Sequence, residues 1–363
     1  MLDTLLVLVL AAHLLAANLA GAAPLVCIWL DIRETRRGDL VAGELGRYLI
    51  RQSILWLTAG LALGGSTLAL VWAAQWEPFY ETAGRIPAAR FWWALPELAF
   101  YFYCVAMYLR WWTGSGTSPT WQVVMRRLLG VLAATNLLYH FPLLFTVIGV
   151  YSTRLAVDPG MLNFRRAMLD PEVLSQFAHH VLASFAIVGV AIMGFSLRLG
   201  RKGRPAGEVQ RVATWGGRVA LVPTVLQLIV GMLVLLALPE RARDGLLGGD
   251  QVGTVLFGLS IVAAIVLMHR LASIAAGDVE RKNLIGSMAL LVLIVVAMVG
   301  TRQRARHGKF VSTASRIERA VAAVETTSGD AIARQPHDCD AVPMTAHVRS
   351  SYKTKNDVYT TST

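Results

Sequence analysis

Charge is scarce in this sequence. Only 16% of its 363 residues are Asp, Glu, Lys or Arg, while 55% are hydrophobic and the mean hydropathy is +0.53. Soluble domains carry about a quarter charged residues, so the balance here excludes that class and makes the bilayer the expected solvent. Cysteine is nearly absent too. Cys27, Cys104 and Cys339 show neither CxxC nor CxxCH spacing, which excludes a disulfide framework and a c-type haem attachment. Also missing are a Gly-rich phosphate loop, an HExxH pair and a nucleophile elbow, the signatures of nucleotide, zinc-protease and hydrolase chemistry. The net charge of +11 would suggest nucleic acid in a soluble protein. Here Lys and Arg fall mainly between apolar runs and in the tail, where they act as topology signals, and no nucleic-acid partner is expected.

What the sequence does have is long apolar runs. Stretches able to cross about 30 Å of hydrocarbon lie over 2–30, 50–74, 91–112, 127–150, 173–197, 214–238, 252–272 and 283–300. The spacing predicts an all-α, polytopic integral membrane protein of about eight transmembrane helices, because backbone in lipid must pair within helices or closed barrels and these runs exceed a barrel strand. The first run also exceeds a signal-peptide core and is read as a retained helix. The third is the least uniform, carrying Glu97 among tyrosines and tryptophans. Connections after odd-numbered spans hold the larger share of Lys and Arg, placing them in the cytoplasm and the amino terminus outside. Residues 1–300 thus form the bundle and 301–363 a polar, largely disordered tail, with a short amphipathic helix expected at "SRIERAVAAVETT". The tail is basic and would lie outside, against the trend.

Ionisable groups inside spans are functional candidates, because each is costly unless paired or ligated. His13, Glu97, His140, His179 and His180 make up that set. With a rise of 1.5 Å per residue, His13 lies about 16 Å, His140 about 15 Å, His179 about 10 Å and Glu97 about 9 Å from the outer ends of their helices. All four fall in the outer half of the membrane although their helices run in opposite directions. Imidazole ligates haem iron, and bundles hold haem between facing histidines; the other reading is hydrogen bonding between helices. His180 is about 100° around the helix from His179, so the two do not serve one haem face. His269, beside Arg270, reads as interfacial. Pro142, two residues after His140, is expected to free a carbonyl and bend the fourth helix.

Five stretches together resemble subunit I, the large subunit, of cytochrome bd-type quinol oxidase. They are "AAHLLAANLAGAAPLVCIWLDIRETRRGDL", "SILWLTAGLALGGSTLALVW", "ELAFYFYCVAMYLRWW", "LLGVLAATNLLYHFPLLF" and "QFAHHVLASFAIVGVAIMG", in the family's order over roughly residues 5–238. The resemblance implies that His13 binds a haem of the oxygen-reducing pair, that Glu97 is the first membrane glutamate near it, and that His179 ligates the low-spin haem b. His180 falls where the family has no ligand.

The sequence also departs from the family. Only "PERARDGLLGGD" stands where a long quinol-binding loop is expected, no methionine of the seventh span matches the low-spin ligand, Val105 replaces a second glutamate, and the carboxyl-terminal Gly-Arg-Gln-Pro-Trp type motif is missing. The resemblance therefore implies a membrane-integral b-type cytochrome with one or two haem b groups, not an independent oxygen reductase. His13, His140 and His179 are the expected axial ligands, with His140 facing His13 or His179, and Glu97 is the expected proton-handling or haem-facing carboxylate. A redox partner subunit or quinol is the expected partner and the inner or plasma membrane the expected location. The same departures fit a haem-free scaffold or assembly subunit derived from that fold.

Overall fold

The computed structural model describes residues 2–74, 76–112, 119–154 and 162–305. Within them lie eight long helices: α1 (Leu2–Arg37), α2 (Leu40–Ala73), α3 (Ala94–Trp111), α4 (Thr120–Tyr151), α5 (Pro171–Arg201), α6 (Ala206–Ala237), α7 (Gln251–Ala276) and α8 (Arg281–Ala305). No strand occurs among the described residues. Seven of these helices are long and apolar enough to cross a membrane, which makes this an integral membrane protein. The exception is α3, of 18 residues with Glu97 in its first turn and Arg110 in its last. It is held by a buried stripe, Tyr101, Cys104, Val105 and Tyr108, at the i, i+3, i+4, i+7 spacing of a core-facing helix. The described helices belong to one unit; the expected tail helix and disorder lie outside the described residues.

Local chemistry sets the helix ends. Only Gly38 and Asp39 separate α1 from α2. Gly38 takes φ +64°, a left-handed conformation open to glycine without a Cβ penalty, and the Asp39 carboxylate accepts the Ala42 N–H as an N-cap. The two helices therefore fold back on each other as a tight hairpin. Asp170 caps α5 by accepting the Glu172 N–H, with Pro171 in the first turn, and Asp250 caps α7 through Gly253. Within α4, residues Asn136–His140 form a π-helical turn. Pro142 supplies the reason: it has no N–H for the carbonyl four residues back and its ring crowds that carbonyl, so the wider turn relieves both.

Three buried clusters join the helices. One runs through α1 to α6, from Ala20, Leu30 and Leu45 to Tyr101, Ala133, Ile192 and Trp215. A second joins α5 to α8 through Ile187, Met193, Ala220, Leu271 and Leu291, and a third packs Leu143, Val147 and Ile148 of α4 against Val173 of α5. Between α5 and α6 the approach is close: a Cβ on Gly189 would lie 2.7 Å from the Gly216 carbonyl, leaving no room for a side chain. Packing along α5 is uneven, with buried positions from Ser184 to Leu199 but only partial burial, on every face, from Ser175 to Ala183. His179 and His180 sit in that loosely packed segment.

Candidate functional site

His13, His140 and His179 come from α1, α4 and α5, and each is held differently. His13 stands against α2, where its Nδ1 lies 2.7 Å from the Gly60 carbonyl oxygen. A carbonyl only accepts, so Nδ1 carries the proton and Nε2 keeps its lone pair. Gly64, one turn along, makes this seat possible, because a Cβ there would come within 2.9 Å of the imidazole. Gly60 and Gly64 of "TAGLALGG" thus form the backbone seat of His13.

His140 is the last residue of the π-helical turn, and the structure pairs it with Glu97: Nδ1 lies 2.9 Å from the Glu97 carboxylate. Asn136, in the same turn, donates from Nδ2 to the Glu97 carbonyl at 2.6 Å. The turn therefore grips the start of α3 at two points. This pairing differs from the expectation that His140 faces His13 or His179; the side chain is about half exposed and its ring contacts Tyr139, which packs on Phe177 of α5. Again Nδ1 is engaged with an acceptor and Nε2 is the free nitrogen.

For His179 the situation is reversed. Its Nδ1 is buried without a hydrogen-bond partner, an arrangement that costs about 1–3 kcal/mol and is uncommon enough to call for a reason. Its carbonyl faces Gln227 of α6 at 3.5 Å. His180 interacts electrostatically with His13, His179 and Arg302, and its carbonyl is shared with Ser184, whose hydroxyl also bonds Asn18 of α1 at 2.6 Å. His13, His179 and His180 therefore share one neighbourhood between α1 and α5, while His140 and Glu97 form a separate pair at α3 and α4.

Charged residues close the end of the bundle nearest these histidines. Arg154 donates to Asp170 at 2.6 Å and to Glu172 at 2.9 Å, and the electrostatic reach of Glu172 extends to Arg302 of α8. The Arg154 guanidinium holds the Asp170 carboxyl below its ordinary range. At the opposite end lies a buried network whose arginines the sequence presents only as topology signals. Asp31, fully buried, accepts from Arg126 and from Arg127 at 2.7 Å; Glu34 accepts from Arg47 at 2.9 Å and from the Trp112 indole. The available signal was helical period, since Cys27, Asp31 and Glu34 fall on the stripe that carries Leu30 inward, and Arg126 shares its stripe with Leu129, Gly130 and Ala133.

Among the described residues no group of three His, Cys, Asp or Glu could hold a bare metal ion. Haem asks less of the protein, since the macrocycle supplies four nitrogens and one or two axial ligands complete the iron. The donor set fits that demand. His13 and His140 have Nδ1–H donated to an oxygen, which leaves Nε2 oriented and basic as in metal-ligating histidines, and His179 has a buried nitrogen lacking any partner.

No family model matches the sequence, and no curated protein matches it. The comparison of structures does find a likeness. The structure of bd oxidase from Geobacillus thermodenitrificans contains a chain that superposes with a TM-score of 0.67 at 14% identity, covering 85% of this chain and 87% of that one. In fold, this chain is similar to bd oxidase. The likeness extends over most of both chains and agrees with the fold implied by the five sequence stretches; at this identity it concerns the backbone arrangement alone.

Proposed function

We propose that this protein is a membrane-integral b-type cytochrome, related in fold to bd oxidase, which passes electrons between a quinol pool or redox partner and another complex. The observation that carries the reading is the state of the ring nitrogens: Nδ1 of His13 is committed to the Gly60 carbonyl and Nδ1 of His140 to Glu97, so each offers Nε2 as a neutral ligand. His179, with its unpartnered buried Nδ1, completes the set of candidate axial ligands. Haem b supplies one-electron chemistry when bound. The chain's own contribution is to fix ligand tautomers through Gly60 and Glu97 and to hold a proton at Glu97 or His140. The amino terminus lies outside, in the reading given by the distribution of Lys and Arg, in an inner or plasma membrane.

The missing quinol loop and methionine argue for electron transfer rather than independent oxygen reduction. The test is a pyridine haemochrome assay on protein purified after expression with ample haem precursor. Protohaem in a ratio of one or two per chain is expected; a chain that purifies folded and without haem would overturn the cytochrome reading and leave the scaffold role.

A further inference from the structure

The turn between α1 and α2 holds a group of side chains that the proposed cytochrome function does not use. Trp29, Arg33 and Arg37 follow one another at i, i+4, i+8 along α1, forming one stripe. The Arg33 guanidinium is stacked on Trp215 of α6 at 4.5 Å and on Trp29 at 5.6 Å. Arg211 approaches the same Trp215 ring at 5.5 Å. One carboxylate, Asp39, faces both arginines, 3.2 Å from Arg33 and 3.6 Å from Arg211, and also caps α2. It is nearly buried, whereas Arg211 and Trp29 are exposed and Arg37 projects at the end of α1.

Two guanidiniums, those of Arg33 and Arg211, thus share one carboxylate that already accepts from a backbone N–H, which leaves an excess of positive charge, and Arg37 adds an exposed cation further along the same stripe. The Nε of Arg33 is buried and unpartnered. Stacking between two indoles fixes the guanidinium plane, so little side-chain freedom remains to be lost on binding. Arginine forks match phosphate oxygens in bidentate geometry, and tryptophan at a helix end marks the level of lipid headgroups.

We propose that Arg33, Arg37 and Arg211 bind the phosphate of an anionic phospholipid, with the exposed Trp29 beside the headgroup and the buried Trp215 holding the Arg33 guanidinium in place. Clustered arginines beside a membrane-spanning helix, at headgroup level, recognise acidic lipids in this way. The inference is independent of haem.

The test is native mass spectrometry of the full chain in detergent, titrated with phosphatidylglycerol or with phosphatidylcholine, with inorganic phosphate as competitor. Phosphatidylglycerol is expected to be retained at least about tenfold better than phosphatidylcholine, and the double variant Arg33→Gln with Arg211→Gln to lose most of that preference. Arg37→Gln, which removes an exposed charge and leaves the stacked core of the site alone, should lower retention about two- to threefold and guards against a folding defect in the double variant. Equal retention of the two lipids, or wild-type preference in both Arg37→Gln and a folded double variant, would overturn the proposal. Complete displacement of the lipid by millimolar phosphate would also overturn it, assigning the site to a free anion.

Discussion

Replacing Asp31 by asparagine should destabilise the protein far more than any other single loss of charge in the inner network. Asp31 is fully buried and Arg126 is 2% exposed, so neutralising the carboxylate leaves a guanidinium out of water without a counter-charge, with only neutral acceptors, the amide oxygen of the introduced asparagine and the Trp111 carbonyl 2.7 Å away. Breaking a buried pair from one side costs about 3–5 kcal/mol. Arg127, the second donor to Asp31, is 23% exposed, and removing it as Arg127→Gln should cost about 1 kcal/mol or less. At about 2 °C per kcal/mol for a chain of this size, Asp31→Asn should lower the apparent melting temperature in detergent by about 6–10 °C and Arg127→Gln by about 2 °C. Replacing both buried partners by apolar residues, Asp31→Leu with Arg126→Met, removes the stranded charge and should recover much of the loss. Equal shifts for Asp31→Asn and Arg127→Gln, or a double variant no better than Asp31→Asn, would refute the reasoning that burial of Arg126 sets the magnitude.

Three further outcomes follow from the packing and the caps. Gly189→Leu places a side chain where the Gly216 carbonyl stands and should prevent α5 and α6 from closing, read as loss of monodisperse protein on size exclusion. Gly64→Val forces the His13 imidazole from its seat without altering His13 itself, and should shift or reduce a haem absorption band. Asp170→Ala should cost about 1–2 kcal/mol by removing the cap and the Arg154 pair together, whereas Asp170→Asn keeps the cap and should cost less than about 1 kcal/mol. Because the folded Asp170 carboxyl is held low by Arg154, its advantage over Asn is present above the unfolded value of about 3.9. That advantage is lost as pH falls through the lower folded value, so melting curves of wild type and Asp170→Asn should converge only in strong acid.

Hydropathy located the bundle because apolar length is what a span requires, yet it ended helices too early. The first span was expected to end at residue 30, whereas α1 continues to Arg37, and α6 begins at Ala206 rather than 214. Those extra turns carry Asp31, Glu34 and Arg211, polar residues whose partners lie on other helices and are invisible to a window average. The bend at Pro142 was legible from the missing N–H; its form, a π-helical turn that directs Asn136 and His140 onto α3, required the neighbouring helix. Likewise the ionisable set His13, Glu97, His140 and His179 stood out by cost in lipid, while the pairing of His140 with Glu97 depended on the packing of α3 against α4. The seat of His13 was hidden because its partner is a carbonyl, and every residue has one.

The most direct test of the account is the reduced-minus-oxidised absorption spectrum of the purified protein beside those of His13→Ala, His179→Ala and His140→Ala. A b-type haem spectrum is expected in the wild type, with loss or displacement of a band in His13→Ala and in His179→Ala, and an altered band in His140→Ala. A haem spectrum that is the same in all four proteins would contradict the ligand assignment, and a wild type without any haem band would contradict the function.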